Sequence, residues 1–398
     1  MAARVTPAQR ALMDLLANSL FQAGRAPQIR DPAALWHEAQ VQGVFLLALK
    51  DVDIDGFPEA LRKKIRFRVT QFMASNVNVS LQHAAITRLL DEAKIPHALI
   101  KGHASSVWYP QPELRQLGDV DFLVPPAFVS RVDALLEAAG FTAETKSHRI
   151  HNVYTKDGVR FEMHFELPGI PEGDIGARCR TYLRDLLPQA RLRHTPFGDM
   201  RLPMVFEHGM VLLLHAAHHL TNSGIGLRQL CDWAVFVDTL PEAEFEALFR
   251  APLRDLGLWT FACCLTDICV RYLGAAPRSW AKQEDPALSD ALLADILSGG
   301  NFGQKNVARS HQAYMITSGT KSKSKLTRVL RLLLDMIYQK WPITKKLKFL
   351  IPFGWAYYGG RYLVRAAMGM RPRVRLRAAV RSADARNMLY DRLRLFEN

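Results

Sequence analysis

Three acidic residues, Asp119, Asp121 and Glu162, have the types and spacing that could hold a divalent metal ion. Asp119 and Asp121 sit one residue apart in GDVDFLV, an alternating run that reads as a strand stopped by Pro125 and Pro126. Side chains at i and i+2 of a strand share a face. The two carboxylates are therefore adjacent and repel each other unless a cation sits between them. Glu162 lies in VRFEMHFEL, flanked by Phe161 and Met163 on a second predicted strand. It joins the same face if the two strands are neighbours. Three converging carboxylates can hold one or two Mg²⁺ or Mn²⁺ ions, which activate an attacking hydroxyl and stabilise departing pyrophosphate. Glu166 shares the face and is the rival third carboxylate; His164, between the two, reads as a hydrogen-bonded structural histidine.

Upstream, Lys101-Gly102-His103-Ala104-Ser105-Ser106 joins a predicted strand to a short helix. A glycine there lets backbone approach a phosphate, and a helix start favours an anion. Lys101 and Arg115 add positive charge for a triphosphate. The nucleotide-binding candidates are therefore Lys101, Gly102, His103, Ser105, Ser106 and Arg115. His215, His218 and His219 have the i, i+3, i+4 spacing of helical metal ligands but enclose no acidic partner. They read as structural, or as a wall of the nucleotide pocket. Arg228 and Asp232 form an i, i+4 pair that suits a helix salt bridge, and Cys263 and Cys264 read as core.

The elements that must position these residues follow from periodicity. Residues 1–94 have helical spacing throughout. In 95–202, PHALIKG and GDVDFLV read as strands, GHASSVWY as a short helix and AFVSRVDALLEAAG as an amphipathic one. RIHNVYTKDGVRFEMHFEL reads as a hairpin around Asp157-Gly158. Residues 203–320 form a helical domain whose periodicity runs to about 300, where GGNFGQ breaks the pattern, and 321–398 form a basic segment. The expected fold class is α+β, with a small mixed sheet set between helical regions.

The motif set LIKGHASSVWYPQPELRQLGDVDFLV followed by FEMHFEL resembles the nucleotidyltransferase superfamily typified by DNA polymerase beta. Within it, the chain is similar to a bacterial group described as an uncharacterised nucleotidyltransferase family. The resemblance rests on Lys101-Gly102, Tyr109-Pro110, Arg115 and Asp119-Val120-Asp121, with HAAHHL and LRQLCDWA in a helical part. It covers roughly residues 5–300. It implies a metal-dependent transfer of a nucleoside monophosphate from an NTP to an acceptor, with Asp119, Asp121 and Glu162 as metal ligands. Many superfamily members carry Gly-Ser at the phosphate turn; here His103 follows Gly102, so Ser105 or Ser106 is the candidate replacement. That departure motivates the alternative of a catalytically inactive nucleotide-binding or membrane-associated accessory protein of a biosynthetic pathway.

Composition bounds the rest. The chain has 398 residues and a net charge of +14. Residues 321–398 hold 19 Lys and Arg against 4 Asp and Glu, so this last fifth carries +15 and the remainder −1. The excess charge is thus a property of one segment, not of the acidic site. That segment suits a solvated surface, an anionic membrane through FLIPFGWAYYGG between basic flanks, or, with less sequence support, nucleic acid. Five cysteines and no C-x-x-C pair argue against a disulfide framework or a cysteine zinc site. With no apolar run of membrane-spanning length, the expected setting is the cytoplasm, with peripheral contact at the inner membrane face.

Overall fold

A computed structural model describes residues 5–146, 150–282, 285–305, 334, 337–338, 341–345, 347–367 and 386–397. The fold is α+β. Four helices open it: α1 (Pro7–Phe21), α2 (Pro32–Val41), α3 (Phe45–Leu49) and α4 (Glu59–Glu92). Thr6 and Gln9 form a reciprocal capping box at the start of α1, and Asp31 caps α2.

The sheet comprises β1 (Ala98–Leu99), β2 (Asp119–Leu123), β3 (Thr142–Thr145), β4 (His151–Lys156) and β5 (Val159–His164), in the order β1-β2-β5-β4-β3. Strand β2 pairs antiparallel with β1 and parallel with β5. The β4–β5 hairpin turns at Asp157-Gly158, both with positive φ, as a tight I′-like turn requires. The one-turn helix α5 (His103–Ser106) follows β1, and α6 (Val129–Ala138) connects β2 to β3.

Helices α7 (Gly173–Tyr182) and α8 (Leu186–Gln189) lead to a second hairpin, β6 (Arg191–Thr195) and β7 (Gly198–Leu202). Helices α9 (Val205–Thr221), α10 (Leu227–Thr239), α11 (Glu242–Asp255), α12 (Trp259–Ile268) and α13 (Pro286–Gly299) complete the main body.

The alternation of β2 and β5 divides the sheet between two environments. Val120, Phe122, Phe161 and Met163 face a core shared with Val79, Ile86 and Leu90 of α4 and Val132 and Leu136 of α6. Burial of each such side chain is worth about 1.5–3 kcal/mol and fixes the register, because a one-residue slip would turn it outward. The opposite face, which carries Asp119, Asp121 and Glu162, is turned toward the helices. A larger core joins α1–α3, α9–α13 and Leu389, Tyr390 and Leu393 near the C-terminus. Helix α4 contributes Ile65 to that core and Leu90 to the other. The segments expected at 1–94, 203–320 and 321–398 thus share one apolar core.

Candidate functional site

The parallel register places Asp121 opposite Glu162, Asp119 opposite Arg160 and Leu123 opposite His164. One carboxylate oxygen each from Asp119, Asp121 and Glu162 lies within 4.8 Å of the others. The sequence could not supply this neighbour relation, since 40 residues separate the strands' acidic positions; the β2–β5 pairing does.

The cluster is only partly neutralised. Lys101 Nζ lies 2.6 Å from Asp121 Oδ1, and His164 Nε2 lies 2.8 Å from the same oxygen. His164 Nε2 is also 3.5 Å from Glu162 Oε2, and Arg160 is 3.2 Å from Glu162 Oε1. Burial alone would push the Asp121 carboxyl up, but Lys101 and His164 together hold it well below the carboxylate range. The hydrogen bond from His164 holds Glu162 down as well. Asp119 is the opposite case. The charge of Asp121, then burial, raises it from 3.8 to about 6. Among the described residues no ion pair reaches Asp119. The cluster therefore holds three carboxylates with a residual repulsion centred on Asp119, and an all-oxygen donor set of this kind fits Mg²⁺ or Mn²⁺. A second grouping, His151, Glu162 and His164, overlaps it, but His164 already serves Asp121.

A cavity of about 250 Å³ opens above the cluster. Of the sequence candidates, Lys101, Gly102, Ser105, Arg115, Asp119, Asp121 and Glu162 line it; His103 and Ser106 do not. His103 is buried. Its Nε2 contacts Ser80 Oγ at 2.8 Å and its Nδ1 contacts Ser106 Oγ at 2.9 Å, which occupies both side chains away from the cavity. Burial pushes His103 down to about 3, so it supplies no positive charge.

Two further expectations change in physical detail. Helix α5 is a single turn, and Ala104, Ser105 and Ser106 donate their amides to the Lys101 and Gly102 carbonyls. Those three amides are spent within the turn. Gly102 has φ +58°, and a Cβ there would lie 2.7 Å from His83 Nε2. The glycine is thus required by the packing of α4 as well as by its backbone conformation.

Arg115 is not a free cation. Its Nε and Nη2 donate to Asp232 Oδ1 and Oδ2 at 2.7 and 2.8 Å, and Tyr109 Oη donates to Asp232 Oδ1 at 2.7 Å. Asp232 therefore binds Arg115 across the fold, not Arg228 along its own helix. Arg228 lines the cavity with no ion pair among the described residues, and its Nε is buried without a hydrogen-bond partner there. Glu166 pairs with Arg180 away from the cluster, which leaves Glu162 as the third carboxylate of the group.

The far wall comes from helices. His215 and His219 line it, with their Nε2 atoms 2.9 Å apart, and His219 Nδ1 contacts Ser223 Oγ at 3.1 Å. His218 does not line it. Burial holds His215 far below its ordinary range and His219 at about 3, so both are neutral. Phe302 closes the ring. The sequence marked GGNFGQ only as a break in helical pattern; no periodicity signals a residue held by a loop. All five cysteines are free and buried, matching the core reading of Cys263 and Cys264.

No curated protein matches this chain. Residues 28–274 match the family model described as uncharacterised nucleotidyltransferase. This span is more than half the chain, and it contains β2, β5, the acidic cluster and the α9 and α10 residues of the cavity wall but not Phe302, so the chain belongs to that family of nucleotidyltransferases.

Proposed function

We propose that the protein transfers a nucleoside monophosphate from an NTP to an acceptor hydroxyl or phosphate in a metal-dependent reaction. The observation that carries this reading is the convergence of Asp119, Asp121 and Glu162 within 4.8 Å at a cavity that also holds Lys101 and Arg228. Asp119, Asp121 and Glu162 would hold one or two Mg²⁺ or Mn²⁺ ions, which supply charge neutralisation of the triphosphate and a lowered pKa for the attacking hydroxyl.

The remaining chemistry falls to the chain's own groups. Lys101, released from Asp121, and Arg228 face the phosphates, and the Ser105 hydroxyl donates to a phosphate oxygen. Glu162 accepts the acceptor's proton as its oxygen bonds to the α-phosphorus. The bond from that phosphorus to the bridging oxygen breaks, and pyrophosphate leaves with the electron pair. His164 keeps Asp121 and Glu162 in register for this work. The test is a screen of NTPs and acceptors with Mg²⁺ or Mn²⁺, read by mass spectrometry for an added nucleotide. Pyrophosphate release that depends on Asp121 supports the reading. Nucleotide binding without release across the panel favours an inactive binding protein.

We also propose an anionic membrane surface as the partner of the basic C-terminal segment, which places the protein at the cytoplasmic membrane face. Among the described residues no helix is long and apolar enough to cross a membrane. The helix Ile351–Ala367 instead exposes Phe353, Tyr357 and Val364 along one stripe, preceded by exposed Phe349. An apolar stripe with basic flanks suits the lipid interface.

A further inference from the structure

We infer that Phe302 is the platform on which the nucleobase of the NTP stacks, at the mouth of the cavity beside Arg228. The inference rests on the proposed nucleotidyl transfer and deepens it. Phe302 has φ +52° and ψ +35°, a left-handed conformation that costs a bulky residue about 1–3 kcal/mol.

The strain is imposed from both sides. Gly300 and Gly303 also have positive φ. A Cβ on Gly303 would lie 2.5 Å from the Ser223 carbonyl, and one on Gly300 would lie 3.0 Å from the Val41 carbonyl. Asn301 is buried, and its Oδ1 accepts from Gln229 Nε2 at 3.0 Å. The loop is thus pinned at each neighbour of Phe302, while Phe302 itself remains 38% exposed and lines the cavity. A large apolar ring is thus held in a strained conformation with part of its surface open to a polar cavity.

The surroundings suit a planar, uncharged ring. Arg228 lies over Phe302 with its guanidinium 5.2 Å from the ring centroid, and His219 packs at a tilt 4.7 Å away. The orphaned Nε of Arg228 is a hydrogen-bond donor for a base heteroatom or a phosphate oxygen. Base stacking on an aromatic side chain tolerates different bases, and its loss is worth roughly a tenfold change in affinity or more.

The test uses the full chain with Mn²⁺ and measures the Kd of ATP and of inorganic tripolyphosphate by equilibrium dialysis. Phe302→Leu should weaken ATP about tenfold and leave tripolyphosphate within about twofold, whereas Phe302→Tyr should retain ATP affinity. Phe302→Gly adopts the positive φ without strain, so it should keep the melting temperature within a few degrees and still lose ATP affinity. Equal weakening of ATP and tripolyphosphate, or unchanged ATP affinity in Phe302→Leu, would overturn the platform while the transfer reading stands. Failure of the parent protein to bind either probe would instead remove the transfer reading and the platform with it.

Discussion

Asp119 reports the electrostatic state of the cluster, because among the described residues it is the one carboxylate of the three in no ion pair. Its pKa of about 6 exceeds its ordinary value of 3.8, so the folded protein holds a proton there that the unfolded chain has lost. Stability from this group therefore falls as pH rises from about 4 to about 6 and stays reduced above that window. In EDTA at about pH 7.5, Asp119→Asn should melt a few degrees above the parent, and the difference should shrink toward about pH 5. With Mg²⁺ or Mn²⁺ the order reverses, since only the parent gains stability from the ion. Thermal denaturation across pH, with and without metal, checks both signs. The third carboxylate is tested separately: Glu162→Gln should lower turnover by about 100-fold or more, whereas Glu166→Gln, which disturbs only its pair with Arg180, should leave turnover within about twofold. A dead Glu166→Gln with an active Glu162→Gln would show that the wrong carboxylate has been assigned.

The Tyr109–Arg115–Asp232 cluster joins the loop before β2 to α10 and so sets the distance between the carboxylate face and the helical wall. Both charged partners are more than nine-tenths buried. Asp232→Ala would leave the Arg115 guanidinium buried without its counter-ion, and should cost about 3–5 kcal/mol in urea unfolding. The double variant Arg115→Met/Asp232→Leu removes both charges and should be closer to the parent than Asp232→Ala alone. If the single and double variants are equally destabilised, the cluster acts through shape and not through charge pairing. At the same scale, elements with a half-buried alternation were legible: β2, β5 and the Asp157-Gly158 hairpin follow from pattern. Strand β3 was not, because Thr142–Thr145 are all exposed at a sheet edge and carry no apolar signal. The β6–β7 hairpin was hidden in the same way, since Arg191, Leu192, Arg193 and His194 face solvent.

The C-terminal fifth has two roles in the whole molecule. Residues 386–393 are helical, and Leu389, Tyr390 and Leu393 enter the main core. Arg386 Nη2 and Tyr390 Oη donate to the Leu220 carbonyl at 2.8 and 2.6 Å. Removal of 321–398 would therefore uncover the core, and point changes test the membrane proposal better. The full chain should float with vesicles containing anionic lipid at low salt and release near about 0.5 M salt, where screening is short-ranged. Phe353→Ser/Tyr357→Ser should weaken the association with no change in melting temperature, because both side chains are exposed. Absence of co-flotation at low salt would dismiss the membrane as partner.

By itself the sequence determined the α+β class, the paired carboxylates on one strand face, the Lys101-Gly102 turn and the segregation of charge into the last 78 residues. These are local properties: strand alternation, a glycine at a strand end and a count of charges need no long-range contact. Glu162 was legible as a candidate but not as a neighbour of Asp121, because a parallel pairing across a helix and two strands is a tertiary choice. Only the tertiary structure spent Arg115 on Asp232, turned His103 into the interior, left Arg228 without an ion pair among the described residues and set Phe302 at the cavity mouth. Each of those outcomes depends on which partner lies within about 3–5 Å in space, and a chain read one residue after another contains no such distances.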